Sequence, residues 1–243
     1  MTLVTAYDYP TGRLLDEAGV DIVLVGDSLG MVVLGFPDTT HVTLDHMLHH
    51  VEATARGVKN ALLVGDMPIH SYDTVEQAVQ SAKKLFLAGA DAVKLEGGAA
   101  QAGNIRAIVE AGIPVVGHIG LLPQKGLEEG GYKIKGKSSA EEEALVRDVE
   151  AVAEAGACAV VVEGVTPHAA RQVTVHSSIP TLGIGSGSHT CDGDVVVIHD
   201  LVGAFPWFIP AFVKPRADVA GSMTAAVKEW MEDCYTEPGS ISS

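Results

Sequence analysis

The stretch that most constrains this chain is Asp21-Ile22-Val23-Leu24-Val25-Gly26-Asp27-Ser28-Leu29-Gly30. Four apolar residues, three of them β-branched, run together and stop at a glycine, an acid, a hydroxyl and a second glycine. Short apolar runs bounded by turn residues read as strands buried on both faces, as in parallel sheets covered by helices. A carboxylate where such a strand stops lies at the carboxyl edge of the sheet, where α/β proteins bind ligands. The pattern recurs in Leu62-Leu63-Val64-Gly65-Asp66, Ala92-Val93-Lys94-Leu95-Glu96, Val115-Val116-Gly117-His118 and Ala159-Val160-Val161-Val162-Glu163. Five strand ends thus bring acids, a lysine and a histidine toward one rim.

Helical signals alternate with these strands. A first strand covers 3–8 and a helix 11–18. Thr43 caps a helix in which Leu44, Met47, Leu48, Val51 and Ala55 fall at helical spacing. Thr74 and Gln77 stand at capping-box spacing before the next helix. Further helices are expected over 101–111 and 140–155 and after Thr166-Pro167, with proline in the first turn. A weak seventh strand over 181–185 and an eighth over 195–200 complete the series, joined by a segment too short for a standard barrel helix. A last helix is expected over 222–233. Eight strands alternating with helices in 243 residues point to one α/β domain over 1–243, a (β/α)8 TIM barrel. The glycine-rich segment 120–138 breaks the rhythm and is expected to be an active-site loop. Its Lys133, Lys135 and Lys137 make either a solvated surface or a positive lid.

Asp27, Asp66 and Glu96 end strands two, three and four, which are neighbours in a barrel closed in order. Three converging carboxylates repel one another unless something positive sits among them. Hard oxygen ligands with open positions suit Mg²⁺. Each acid alone has a plainer reading, as cap of the helix after its strand. Lys94 lies two residues before Glu96, so both point to one face of the strand. It requires an anionic partner there, either a substrate carboxylate or an internal pair with Glu96 or Asp66. His118 is a donor to a substrate oxygen or a satisfied core histidine. Glu163, on the opposite wall, suits general base or acid work rather than the metal. Ser28 holds an anion or shapes the turn. Gly183-Ile184-Gly185-Ser186-Gly187 lacks the context of a dinucleotide loop. His46, His49 and His50 share a helix with no acid to complete a metal site, and read as a solvated face.

Charge and composition exclude several classes. The formal charge is −15, from 31 acids and 16 bases, so a nucleic-acid partner is not expected. No apolar run reaches the ~18 residues of a membrane span, and no signal peptide is visible. Cys158, Cys191 and Cys234 are scattered, with no metal spacing and no disulfide framework, which suits a reducing cytoplasm.

Several segments resemble a known family. They are Thr5-Ala6-Tyr7-Asp8-Tyr9, Val25-Gly26-Asp27-Ser28-Leu29-Gly30, Lys94-Leu95-Glu96-Gly97-Gly98 and Gly117-His118-Ile119-Gly120-Leu121. Gly130-Gly131-Tyr132-Lys133, Gly183-Ile184-Gly185-Ser186-Gly187, Cys191-Asp192-Gly193 and Phe212-Val213-Lys214 follow in order. Together they resemble ketopantoate hydroxymethyltransferase over nearly the whole chain. The resemblance implies a Mg²⁺-dependent barrel of the phosphoenolpyruvate/pyruvate superfamily. Its reaction transfers a hydroxymethyl group from 5,10-methylenetetrahydrofolate to 3-methyl-2-oxobutanoate, giving 2-dehydropantoate on the route to pantothenate and coenzyme A. By motif position it implies metal ligands at Asp27, Asp66 and Glu96, oxo-acid contacts at Asp27, Ser28, Asp66 and Lys94, and a proton acceptor at Glu163. It also implies a homo-oligomer, commonly a decamer. His41, Gly164 and Ala211 stand where the family usually has proline, a larger residue and a basic residue. The first strand starts at residue 3, whereas family members usually carry a helical segment before it. Two alternatives remain beside this reading. One is a sister lyase or aldolase acting on a 2-oxo acid without folate, against which the loop 120–138 argues. The other is a non-catalytic barrel, against which the acids with Lys94 and Glu163 argue.

Overall fold

The computed structural model describes residues 1–126 and 128–235. Among these, parallel strands close in sequence order from β1 to β8: Thr2–Thr5, Ile22–Val25, Leu62–Asp66, Ala92–Lys94, Val115–Gly120, Ala159–Glu163, Thr181–Ile184 and Gly193–Val196. The intervening helices are α1 (Tyr9–Glu17), α2 (Leu29–Val32), α3 (Leu44–Ala55), α4 (Val75–Leu87), α5 (Ala102–Glu110), α6 (Ser139–Glu154) and α7 (Pro167–His176). The barrel expected from the sequence is therefore present. β8 spans Gly193–Val196 rather than 195–200, since its pairing with β7 begins at Gly193 and its pairing with β1 ends at Val196. Ile198–Leu201 is instead a short helix, α8.

The sequence pattern leads one to expect a single domain over 1–243, whereas the contacts divide the chain into two compact units, Met1–Val197 and Ile198–Ser243. Closure of the barrel at β8 leaves the later chain no strand position to fill. Its helix α9 (Val219–Tyr235) has no buried residue.

Helix starts follow local chemistry. Asp8, Thr43, Thr74, Ser138 and Thr166 cap α1, α3, α4, α6 and α7 with side-chain oxygens that accept from backbone N–H groups. The reciprocal capping box is at Thr43 and His46 rather than at Thr74 and Gln77. Gln77 instead accepts from the Asp73 N–H and donates to the His70 carbonyl.

Strand periodicity decides what enters the barrel. Leu3, Ile22, Leu24, Val64, Ala92, Val116, Ala159, Val161 and Leu182 form one buried cluster drawn from β1 to β7. Burying each larger side chain contributes ~1.5–3 kcal/mol. Stepping by two along each strand from these residues reaches Asp66, Lys94, Glu96, His118 and Glu163. The polar groups thus continue the inward-facing rows of the core, at the carboxyl end.

Candidate active site

Register brings the first pair together. Asp66 of β3 lies directly opposite Lys94 of β4, and Lys94 Nζ is 2.6 Å from Asp66 Oδ1. Both side chains are buried. Of the two partners open to Lys94 from sequence, the internal one is thus present. Burial opposes the ammonium, but the charges of Asp66, Glu96 and Asp27 outweigh it and hold the Lys94 pKa above its ordinary value.

Asp27 lies past the end of β2, where the chain turns into α2, and is buried. Its backbone N–H donates to Asp66 Oδ2 at 3.1 Å. Burial first, and then the charge of Asp66, push its carboxyl up to about 7. Burial and the charge of Asp27 likewise raise Glu96 well above the usual carboxylate range. Neither acid caps a helix. Ser28, at the start of α2, makes no capping bond, and its hydroxyl lies 2.9 Å from that of Tyr7.

His118 stands between this cluster and Glu163. Nδ1 is 3.6 Å from Glu96 Oε1 and Nε2 is 3.3 Å from Glu163 Oε2. Neither nitrogen is aligned for a hydrogen bond, and neither has another partner among the described residues. His118 is therefore buried but not satisfied. Glu163 is the accessible acid of the set, with its side chain 23% exposed. Thr166 caps α7 itself, so Glu163 is not a cap.

Two glycines fix the exit of β5 and β6. Gly120 has φ +95°, and a Cβ there would lie 2.3 Å from the Glu163 carbonyl oxygen. Only glycine permits this approach, which lets the Leu121 N–H donate to that oxygen at 2.8 Å. Gly164 has φ +56°, and a Cβ there would lie 2.8 Å from Leu121 Cβ. The glycine that departs from the family pattern thus suits the backbone it occupies.

Sequence reasoning missed Gln124. It sits in the turn Pro123–Lys125 after β5 and is buried. Its Nε2 donates to Asp27 Oδ2 at 2.9 Å, and its backbone N–H donates to Glu96 Oε2 at 3.1 Å. The only signal for it was its place at the start of the loop 120–138. Farther along, that loop is tied to the exit of β6. The Lys135 N–H donates to the Gly164 carbonyl at 2.9 Å, and the Thr166 hydroxyl donates to the Gly136 carbonyl at 2.8 Å. Lys135 pairs with the Glu129 carboxylate, and Lys133 Nζ donates to the Glu129 carbonyl. The Lys135–Glu129 pair offsets one of the positive charges expected of a lid. Leu127 lies outside the described residues.

Other sequence signals do not join the site. His46 serves the α3 cap, and His50 Nδ1 lies 2.6 Å from the Tyr7 carbonyl oxygen, so these histidines are not simply a solvated face. A cavity of about 510 Å³ between the loops after β2 and β3 is lined by His41, Thr43, His70, Ser71 and Lys84, among others, and by none of the acids above.

A family model described as Ketopantoate hydroxymethyltransferase matches residues 1–238. The chain belongs to the ketopantoate hydroxymethyltransferase family. It is 50% identical over 234 residues to the 3-methyl-2-oxobutanoate hydroxymethyltransferase of Ignicoccus hospitalis, covering 96% of this chain and 88% of that one. It is also 50% identical over 235 residues to the enzyme of that name from Moorella thermoacetica, covering 96% and 87%. Among solved structures, phosphoenolpyruvate phosphomutase from Streptomyces platensis aligns with TM-score 0.68 at 17% identity, covering 96% of this chain and 83% of that one. A phosphonopyruvate hydrolase in complex with oxalate and Mg²⁺ aligns with TM-score 0.65 at 15% identity, covering 98% and 94%. A 2,3-dimethylmalate lyase, named as a member of the PEP mutase/isocitrate lyase superfamily, aligns with TM-score 0.62 at 20% identity, covering 100% and 86%. At these identities the likeness concerns the fold, which this family member shares with that superfamily.

The site residues suit a divalent cation. Asp27, Asp66 and Glu96 set three buried carboxylates against the one ammonium of Lys94, an excess of two negative charges when all are ionised. Glu96 Oε1 is buried with no hydrogen-bond partner. Among the described residues no group of three or more His, Cys, Asp or Glu side chains is placed to hold a metal ion by itself. Mg²⁺ does not require one, since it binds through one or two carboxylates and fills other positions with water and substrate oxygens.

Proposed function

We propose that this chain transfers a hydroxymethyl group from 5,10-methylenetetrahydrofolate to 3-methyl-2-oxobutanoate, giving 2-dehydropantoate. The observation that carries the reading is the buried excess of carboxylates at one rim, with Glu163 accessible beside it, in a member of this family. Asp27, Asp66 and Glu96 would hold Mg²⁺, with Ser28, Lys94 and His118 lining the oxo-acid position. Bound there, Mg²⁺ supplies Lewis-acid stabilisation of charge developing on the keto oxygen. The Mg²⁺ and oxalate in the phosphonopyruvate hydrolase of the same fold support this assignment.

The protein's own groups divide the remaining work. Lys94 offsets negative charge at the rim while Asp66 holds its ammonium in place. Glu163 takes the proton from C3 of the oxo acid. The C3 electron pair then forms a bond to the methylene carbon of the folate. Overall one water is consumed: two C–N bonds of that carbon are replaced by one C–C and one C–O bond, and the C3 proton and one water proton end on the two folate nitrogens. His118 separates the base from the metal carboxylates, so Glu163 does not become a ligand.

The family also carries the expectation of a homo-oligomer, commonly a decamer. Small molecules are the partners of this reading. Among the described residues no helix is long and apolar enough to cross a membrane. Three free cysteines support a reducing cytoplasm. The test is product formation from the two substrates with and without EDTA. The reading requires 2-dehydropantoate and its loss on chelation. Turnover of the oxo acid without folate would favour the sister-enzyme reading.

A further inference from the structure

Gln124 joins elements that the sequence separates widely. Its Nε2 donates to Asp27 Oδ2 at 2.9 Å and to the Met67 carbonyl at 3.0 Å, while its backbone N–H donates to Glu96 Oε2 at 3.1 Å. One buried residue therefore holds one oxygen of each of two acids, carried by the ends of β2 and β4. Glu96 Oε1 is left without a hydrogen-bond partner.

The Gln124 amide is oriented by Asp27 and the Met67 carbonyl, which can only accept, and Tyr72 completes the arrangement. The Tyr72 hydroxyl donates to Gln124 Oε1 at 2.5 Å. A reversed amide would turn Oε1 against the Asp27 carboxylate and the Met67 carbonyl, acceptor facing acceptor. Tyr72 is buried, and its backbone carbonyl accepts from Asn104 Nδ2 at 2.7 Å. Burial, and then the charges of Glu96 and Asp66, push the phenol's pKa up, so the hydroxyl keeps its proton.

We propose that Gln124, its amide further held by Tyr72, is a positioning residue that orients the carboxylates of Asp27 and Glu96 toward a divalent cation. This rests on the metal reading above. Groups that orient metal ligands through hydrogen bonds are typically worth about 10- to 100-fold in metal affinity.

The experiment is calorimetric titration of Mg²⁺ into metal-free wild type, Gln124→Met, Tyr72→Phe and the double variant, alongside their metal-free melting temperatures. Methionine keeps comparable volume and the backbone N–H to Glu96, so a packing role alone would survive the change. The expected result is about 10- to 100-fold weaker Mg²⁺ binding in Gln124→Met. Tyr72→Phe should weaken it in the same direction, and the double variant should be no weaker than Gln124→Met. Wild-type affinity in Gln124→Met, or a full additional loss from Tyr72→Phe on that background, overturns the proposal. If Gln124→Met melts early, Tyr72→Phe decides alone, and wild-type affinity there overturns it. Absence of Mg²⁺ binding by the wild type would overturn the metal reading, and this inference with it.

Discussion

Replacing Lys94 by methionine tests the electrostatics of the rim. Methionine keeps an unbranched apolar stem and removes the ammonium, which lies 2.6 Å from Asp66 Oδ1. Asp66 Oδ2 still accepts from the Asp27 N–H, so the change is confined to charge and one hydrogen bond. Three buried carboxylates then face one another without their lysine. Removing one partner of a buried ion pair costs about 3–5 kcal/mol, against ~0.2–1 kcal/mol for an exposed pair. In a domain of this size that corresponds to about 6–20 °C in melting temperature. The loss has a definite pH dependence. Asp27 and Glu96 are already raised, and losing Lys94 raises them further. Protons taken up at low pH relieve the repulsion, so the loss should be larger at pH 8 than at pH 5.5. Urea unfolding of both proteins in EDTA at the two pH values measures it. A loss below ~1 kcal/mol at pH 8, or an equal loss at both pH values, would refute the reasoning.

Other consequences follow from the same groups. Asp27→Asn and Asp66→Asn should each weaken Mg²⁺-dependent oxo-acid binding, since an amide is a poorer ligand for a hard cation; wild-type affinity in both calorimetric titrations would remove them from the metal site. The metal-free protein should lose stability as pH rises from about 4 to about 7. The folded Asp27 carboxyl, raised from 3.8 to about 7, binds a proton there that the unfolded chain has released. The shift of ~3 units corresponds to up to ~4 kcal/mol, and stability rising across that window in EDTA would contradict it. Asp16, lowered to about 2, acts with the opposite sign, losing its contribution as pH falls below 4 and so outside that window. Changing Lys133, Lys135 and Lys137 together to glutamine should raise the folate KM modestly at low salt and less at high salt. Lys135 already pairs with Glu129, and an unchanged low-salt KM would rule out a steering role.

The legible and illegible parts of the site differ for a physical reason. Asp66, Lys94, Glu96, His118 and Glu163 follow apolar runs at intervals of two, so strand periodicity alone faces them inward. The choice of Asp66 as partner of Lys94 depends on β3–β4 register, which a single sequence does not carry. Gln124 has no periodic context. It is a polar residue in a turn, and its role comes from long-range approach to Asp27, 97 residues earlier in the chain. The eighth strand lies earlier than its apolar pattern suggests, because Val195–Ile198 is apolar throughout while the pairing begins at Gly193. Thr43 and His46 form a capping box that the sequence does not signal, because histidine is outside the usual pattern at that position.

The reading turns on Glu163 removing the C3 proton of the oxo acid bound beside the acid rim. Exchange of the C3 hydrogen of 3-methyl-2-oxobutanoate for deuterium, followed by NMR with Mg²⁺ present and folate absent, tests it most directly. The account predicts exchange in the wild type, and in Glu163→Gln a rate about 10²- to 10⁴-fold lower with oxo-acid binding retained. Undiminished exchange in Glu163→Gln would contradict it.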